Sequence, residues 1–166
     1  MACPTVAGTG RFTDRKGGAM GASCWDYVTP YTGGVEESLR ALHAEEFARE
    51  YGADGVYASL EELWEDAEFM SQEGTHSILD ILHVVGTCAP PDEYAVEDTS
   101  TLRPLPADRV RHHFGSHRPT PERFREVYDS GPALSAECAV RWTGRYVLLY
   151  TGDRPSHLGV FGRSGD

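Results

Sequence analysis

The C-terminal stretch CAVRWTGRYVLLYTGDRPSHLGVFG, residues 138–162, indicates the fold class of this chain. It contains three short runs of β-forming residues, CAVRW, GRYVLLY and HLGVFG, and the breaks between them carry TG and TGDRPS. Such runs, separated by glycine, aspartate, proline and serine, predict strands joined by tight turns. We therefore expect a C-terminal meander of three antiparallel strands.

Helical periodicity marks the middle of the chain. Apolar residues recur at helical spacing over residues 35–51 and Gly52 follows as a stop, which predicts an amphipathic helix. Ser59 and Glu62 form a capping-box pattern, in which each side chain bonds a main-chain N–H group at the start of a helix. A second helix is thus predicted over roughly 60–71.

Shorter patterns complete the expected architecture. Strands are predicted in SCWDYVTPY, GVYA and residues 75–85, helices over 106–114 and after the capping residue Thr120, and an irregular connection over 87–105. Together with the meander, these elements predict an α+β fold: a mostly antiparallel sheet with three to four helices packed on one face. We assign residues 21–166 to a single domain and residues 1–20 to a flexible N-terminal extension.

Composition restricts the classes of function. The 166 residues are 40% hydrophobic and 25% charged, which is typical of one globular domain. The longest apolar run is far shorter than the roughly 20 residues of a membrane span, and the N-terminus has no apolar signal segment, so we expect a cytoplasmic protein without a membrane partner. No phosphate-binding loop motif occurs, and we expect no organic cofactor. The four scattered cysteines indicate neither a disulfide framework nor a thiolate zinc site.

The charge is unevenly distributed. Residues 35–73 hold twelve acids against two bases, a balance of -10 out of a net charge of -11, whereas residues 103–125 hold six arginines against two acids. An acidic surface repels nucleic acid and favours a basic protein partner, and the arginines could hold a small anionic ligand. A solvated helical face would show the same acidic pattern. On these grounds the binding candidates are the acids Glu61, Glu62, Glu65 and Asp66 and the arginines Arg109 and Arg111. Trp25 of the first strand is a further, aromatic candidate.

Candidate catalytic residues lie in EGTHSILDILHVVG, residues 73–86, and in the first strand. His76 and Asp80 could serve as general acid and base, while Cys24 and Tyr27 would line a pocket where the first strand meets the strand over residues 75–85. Strand alternation would place His76 and Asp80 on one face, about 13 Å apart. Each of these residues could equally belong to the core.

A histidine cluster in HHFGSH is a weaker candidate for a metal site. His113 and His117 have the i, i+4 spacing that presents two imidazoles on one helical face, with His112 beside them. Gly115 lies between them and predicts the end of the helix, and no third acidic ligand follows. Histidines at a helix C-terminus also favour the helix dipole without any metal, so we assign no metal ligand.

Three patterns together resemble a known group of proteins: CWDYVTPY, EGTHSILDILHVV, and GRYVLLY followed by the ending GVFGRSGD. They are similar to a group of small proteins of unknown function from actinobacteria and related soil bacteria, over about residues 20–166. The resemblance implies a bacterial, cytoplasmic, single-domain protein and transfers no catalytic residue.

Two functions agree with these features. The first is a non-catalytic protein-binding module, of the immunity or antitoxin type, that uses its acidic helical face. The second is a small enzyme or ligand-binding protein without an organic cofactor, in a bacterial biosynthetic pathway, with a pocket formed by His76, Asp80, Cys24 and Tyr27.

Overall fold

The computed structural model describes residues 23–165, so the expectation for residues 1–20 lies outside the described residues. The strands are β1 Cys24–Pro30, β2 His83–Val84, β3 Thr101–Pro104, β4 Thr143–Thr151 and β5 Arg154–Arg163. The helices are α1 Val35–Tyr51, α2 Leu60–Glu65, α3 Ala67–Gln72, α4 Ala107–Phe114 and α5 Pro121–Asp129. Single 3-10 turns occupy Ile78–Asp80, Val96–Asp98 and Ser135–Glu137.

The five strands form one mixed sheet in the order β1-β5-β4-β3-β2. β5 pairs antiparallel with both β1 and β4, whereas β3 pairs parallel with β4 and with β2. Four strands therefore run in one direction and β5 alone runs against them. The direction follows from the connections, because α4 and α5 carry the chain back from the end of β3 to the start of β4.

The prediction of a mostly antiparallel sheet with a three-strand meander is wrong. GRYVLLY and HLGVFG do form an antiparallel hairpin, β4 and β5. CAVRW is not a strand. The third strand of the antiparallel part of the sheet is β1, which pairs with β5 and lies far from it in the sequence. The fold class α+β is confirmed. The sheet also contains two parallel strand pairs, which cannot be predicted from the sequence of each strand alone.

Helices cover both faces of the sheet rather than one. Alternate residues of β5 separate two apolar clusters: Leu158 and Val160 join a cluster with α1 and α2, while Phe161 joins a cluster with α4 and α5. Phe124 of α5 is fully buried in the second cluster. The prediction of helices on a single face is therefore wrong, and the protein has three layers.

The predicted strand over residues 75–85 is also wrong. Ile78–Asp80 form a 3-10 turn whose N-cap is Ser77, and only the two residues of β2 pair with β3. The apolar residues of this stretch are buried by the turn, with Ile78, Leu79 and Ile81 at 0% exposure, rather than by strand alternation. Since no strand links them, the shared face expected for His76 and Asp80 does not exist.

Several local predictions are confirmed and others fail. Helix α1 has the predicted bounds, Ser59 caps α2, Thr120 caps α5, and Gly115 ends α4 in the left-handed conformation. The helix predicted over 60–71 is instead two helices, because Asp66 leaves the helical conformation and caps α3. GVYA forms no strand, and β3 lies within the connection predicted to be irregular. No helix within residues 23–165 is long and apolar enough to cross a membrane.

The indole of Trp25 packs against two glycines in the two strands of the β4-β5 hairpin, Gly162 of β5 and Gly144 of β4. A Cβ atom placed at Gly162 would overlap the Trp25 ring, and one at Gly144 would crowd it. The Trp25 Nε1–H donates to Ser164 Oγ at 3.1 Å, which fixes the plane of the ring. Glycine is required at these two strand positions because the backbone and the indole approach closely.

Substitution of Gly162 by alanine should therefore destabilise the fold. We expect Gly162→Ala to lower the free energy of unfolding by about 1–3 kcal/mol, the usual effect of overpacking. Gly86→Ala is the matched control, since nothing lies within 4 Å of the added methyl group. Urea denaturation monitored by tryptophan fluorescence measures both, and equal stabilities of the two variants would contradict this packing.

Candidate functional site

Strand β1 is an edge strand of the sheet that residues 23–165 form. Within residues 23–165 its only partner is β5. Ser164 N donates to Ser23 O and Tyr31 N donates to Ser156 O, so the odd-numbered residues of β1 bond to β5. Because successive residues of a strand direct their main-chain polar groups to opposite sides, the N–H and C=O groups of Cys24, Asp26 and Val28 point to the open side.

A cavity of about 200 Å³ lies along this edge. Its walls are β1 residues 24–27, the C-terminal half of α1 with Glu46, Arg49 and Glu50, and the loop of residues 75–77. A smaller cavity continues it past Val28 and is bordered by Glu45 and Arg125. The two cavities share Tyr27, Glu46 and Arg49, and together they form what we call the edge groove.

A buried polar network closes the floor of the edge groove. Tyr27 Oη donates to Glu46 Oε1 at 2.7 Å, and Arg49 Nη2 donates to the same oxygen at 2.5 Å. Burial and the adjacent Glu46 carboxylate raise the pKa of Tyr27 far above its usual value, so the phenol stays protonated. Glu46 is only 3% exposed, and these two bonds compensate the loss of its hydration.

The loop on the opposite wall has an unusual backbone. His76 has φ 54, in the left-handed region that residues other than glycine rarely adopt. Its Nδ1 lies 2.7 Å from Ser23 Oγ. Asp80 holds the loop, because its Oδ1 accepts from Thr75 N at 2.7 Å and from Thr75 Oγ1 at 2.8 Å. Strained residues held by their surroundings occur often at functional sites.

The structure separates the four candidate catalytic residues into different roles. Tyr27 and His76 line the edge groove, whereas Asp80 lies behind the loop and is 1% exposed. Cys24 borders the cavity, but strand alternation directs its side chain to the opposite sheet face from Tyr27. There the thiol of Cys138 is buried, and burial raises its pKa to about 12. The structure therefore brings Tyr27 and His76 together and places Asp80 as a support of the loop.

The acidic candidates lie on exposed helices. Glu61, Glu62 and Glu65 are exposed on α2, and Glu62 Oε2 accepts from Ala58 N. Asp66 caps α3 and accepts from Tyr57 Oη at 2.9 Å. These acids line neither cavity of the edge groove, whose acidic wall comes from α1. Trp25, the aromatic binding candidate, is 5% exposed and belongs to the core.

The arginine and histidine candidates lie on α4 and the segment after it, on the other face of the sheet. Arg109 Nε and Nη2 donate to Glu137 Oε1 at 2.8 and 2.6 Å, and His113 Nε2 lies 2.6 Å from the same oxygen. Arg111, His112 and His117 are exposed. No group of three or more His, Cys, Asp or Glu side chains in the described part of the chain could hold a metal ion.

Glu46 and Arg49 are two of the groove residues that the sequence prediction did not single out. One signal was available for Glu46: it follows Val35, Leu39 and Leu42 at helical spacing, so an acid stands on the buried side of α1. An acid at such a position needs a partner. No comparable signal marks the open edge of β1, because strand order depends on pairing between distant segments.

The carboxyl of Asp26 on β1 should make stability depend on pH. Burial raises its pKa from 3.8 to about 6, against the opposing effect of Arg125, whose Nη1 lies 2.8 Å from Oδ2. Between about pH 4 and 6 the folded state binds this proton more tightly than the unfolded chain, so stability falls as the pH rises through that window.

Substitution of Asp26 tests this dependence. We expect Asp26→Asn to raise the free energy of unfolding at pH 7.5 by about 1–2 kcal/mol and to flatten its slope between pH 4 and 6. Asp153→Asn is the control, since the Asp153 side chain is 97% exposed. Urea denaturation at a series of pH values gives the slopes, and a slope unchanged in Asp26→Asn would contradict the assignment.

Comparison of the chain with protein-family models, with curated proteins and with solved structures finds no match in any of the three. The resemblance to small actinobacterial proteins therefore stays a prediction.

Proposed function

We propose that this protein is a protein-binding module that captures an extended segment of a basic partner by adding it as a sixth strand beside β1. This is a role of the immunity or antitoxin type, in which a compact acidic protein holds a partner. The observation that supports it most directly is the open edge of β1, lined by a groove.

The main chain of β1 supplies the bonds for such a segment. Cys24, Asp26 and Val28 each present an N–H and a C=O group to the groove, in the spacing of a β ladder. Strand addition uses these groups for affinity and the neighbouring side-chain pockets for specificity. In the groove, every second side chain of the segment would face the cavity beside Tyr27 and His76.

The charge of the groove supports a basic segment. Glu45, Glu46 and Glu50 line it against one cation from α1, Arg49, while Asp26 and Arg125 neutralise each other. Three carboxylates and one guanidinium leave a balance of -2. The exposed acids on α2 extend the same sign of potential over the adjoining surface and would steer a basic protein toward the groove.

Selection from a phage-displayed library of random dodecapeptides tests this function directly. We expect the full chain to enrich peptides that contain Lys or Arg alternating with apolar residues. Val28→Pro is the informative variant, because proline removes an N–H on the open side of β1 and leaves the bonds to β5 intact. We expect a loss in peptide affinity of at least about fivefold, measured by calorimetry.

Thr29→Pro is the matched control for the effect of proline in this strand. Its N–H belongs to the ladder with β5, so this change should destabilise the fold, whereas Val28→Pro should not. Glu50→Gln provides a second variant if Val28→Pro fails to fold: peptide binding should weaken and its salt dependence should decrease. Unchanged binding in Val28→Pro, or no enrichment by the native chain, would contradict strand addition.

Charge reversal on α2 separates the groove from the acidic face as a whole. We expect replacement of Glu61, Glu62 and Glu65 by lysine to slow association at low salt without abolishing peptide binding. Complete loss of binding in this triple variant would instead place the binding site on the acidic face of α2.

A second candidate function, a small enzyme or ligand-binding protein, is favoured by the backbone of His76. His76 has a left-handed backbone conformation and lines the cavity. Backbone strain of this kind occurs often at functional sites. In this role the cavity beside Tyr27 and His76 would take a small polar molecule.

Two substitutions of His76 test the second function. Both remove the imidazole, but only glycine accepts φ 54 without strain, so we expect His76→Gly to be more stable than His76→Ala by about 1 kcal/mol. Fragment screening by NMR measures ligand binding in the cavity. Fragments that bind the native chain and His76→Gly equally would exclude a role for the imidazole.

A further inference from the structure

We propose a second binding site, for a phosphate-type oxyanion, at three arginines on the sheet face that packs against α4 and α5. Arg103 of β3 stands beside Arg145 of β4 in the parallel register. Arg163 of β5 stands beside Thr143, two residues before Arg145 on the same face. The three guanidinium groups thus extend from adjacent strands on one side of the sheet.

The side chains of these arginines are less exposed to solvent than those of most charged residues. Arg103 and Arg145 are 4% and 7% exposed, and Arg163 is half-buried, so the cluster can be reached from solvent at Arg163. Arg103 forms an ion pair with Asp98. Arg145 Nη1 donates to the carbonyl oxygens of Cys88 and Pro104, at 3.1 and 3.2 Å, and these carry no formal charge.

Among residues 23–165, the positive charge of the cluster exceeds the negative charge paired with it. Three arginines face one carboxylate, Asp98, which leaves two positive charges, and no carboxylate of residues 23–165 lies within 4 Å of Arg145 or Arg163. Asp26 pairs with Arg125 and Glu137 pairs with Arg109, so these two carboxylates are engaged with other cations. The buried Nε of Arg163 has no hydrogen-bond partner.

The thiol of Cys138 does not supply the missing charge. It lies close enough to Arg145 and Arg163 to feel both cations, but burial raises its pKa to about 12 and keeps it neutral. Buried cations without counter-charges destabilise a fold unless an anion joins them. Arginine forks match the oxygens of both carboxylate and phosphate, and the two positive charges left after the Asp98 pair favour a doubly charged phosphate-type oxyanion.

Thermal denaturation of the full chain with and without inorganic phosphate tests this site. At 20 mM phosphate, compared with potassium chloride of equal ionic strength, we expect the Tm to rise by about 3 °C or more. Sodium acetate at equal ionic strength should produce a smaller rise, because one planar carboxylate cannot engage three guanidinium groups. An equal rise with acetate would overturn the assignment to phosphate-type anions.

Arg163→Met is the decisive variant, since the side chain is only half-buried and no hydrogen bond to its buried Nε would be lost. We expect its affinity for phosphate, measured by calorimetry, to fall about tenfold or more. Arg154→Met on the same strand is the control for charge, because Arg154 is exposed at the far end of β5, and it should bind as the native chain does.

A second variant keeps the test valid if Arg163→Met fails to fold. Arg163→Lys retains the charge but loses the planar fork, and it should bind phosphate more weakly than the native chain. Phosphate binding that is equal in the native chain, Arg163→Met and Arg163→Lys would overturn the proposal. So would a Tm that phosphate and chloride raise by the same amount. These outcomes leave the edge groove untouched, because none of the three arginines lines either of its cavities.

Discussion

One buried carboxylate, that of Asp80, joins two walls of the edge groove, the loop of residues 75–77 and β1, to the end of β5. Its Oδ1 holds Thr75, and therefore the loop that carries His76. Its Oδ2 accepts from Ser164 Oγ at 2.5 Å, just beyond β5, and the same hydroxyl accepts from Trp25 Nε1 on β1. Loop, central hairpin and edge strand are thus fixed to one another through a single side chain.

This arrangement explains how a strained loop persists. The left-handed backbone of His76 is unfavourable by itself, as strained positions usually are by about 1–3 kcal/mol. The bonds of Asp80, the cap of Ser77 on the following turn and the burial of Ile78 and Leu79 determine the loop more strongly than the local preference of one residue. The groove wall is therefore preformed, which would reduce the entropic cost of the proposed strand addition.

The two proposed sites carry net charges of opposite sign. In the edge groove, acids outnumber cations, and the excess remains close to solvent where a basic segment can reach it. On the other face, Arg103, Arg145 and Arg163 outnumber the one acid paired with them, and the first two contact the connection of residues 88–98. The uneven distribution of charge along the sequence thus has a partial counterpart in space, since the acidic helices α1 to α3 and the segment with α4 and α5 pack on different faces.

The sequence by itself determined the features that depend on neighbours a few residues apart. Helix α1, the caps at Ser59 and Thr120 and the stop at Gly115 follow from local hydrogen bonds and backbone preference, and the β4-β5 hairpin follows from adjacent strands. Tyr27 and His76 were also selected from the sequence as residues of one pocket, and both line the edge groove. Only the tertiary structure decided the strand order, the parallel pairs, the open edge of β1 and the use of Asp80 in a turn rather than a strand. Each of these features depends on contacts between residues far apart in the chain, such as Asp80 with Ser164. The free energy of such contacts cannot be estimated from the residues that neighbour each other in the sequence.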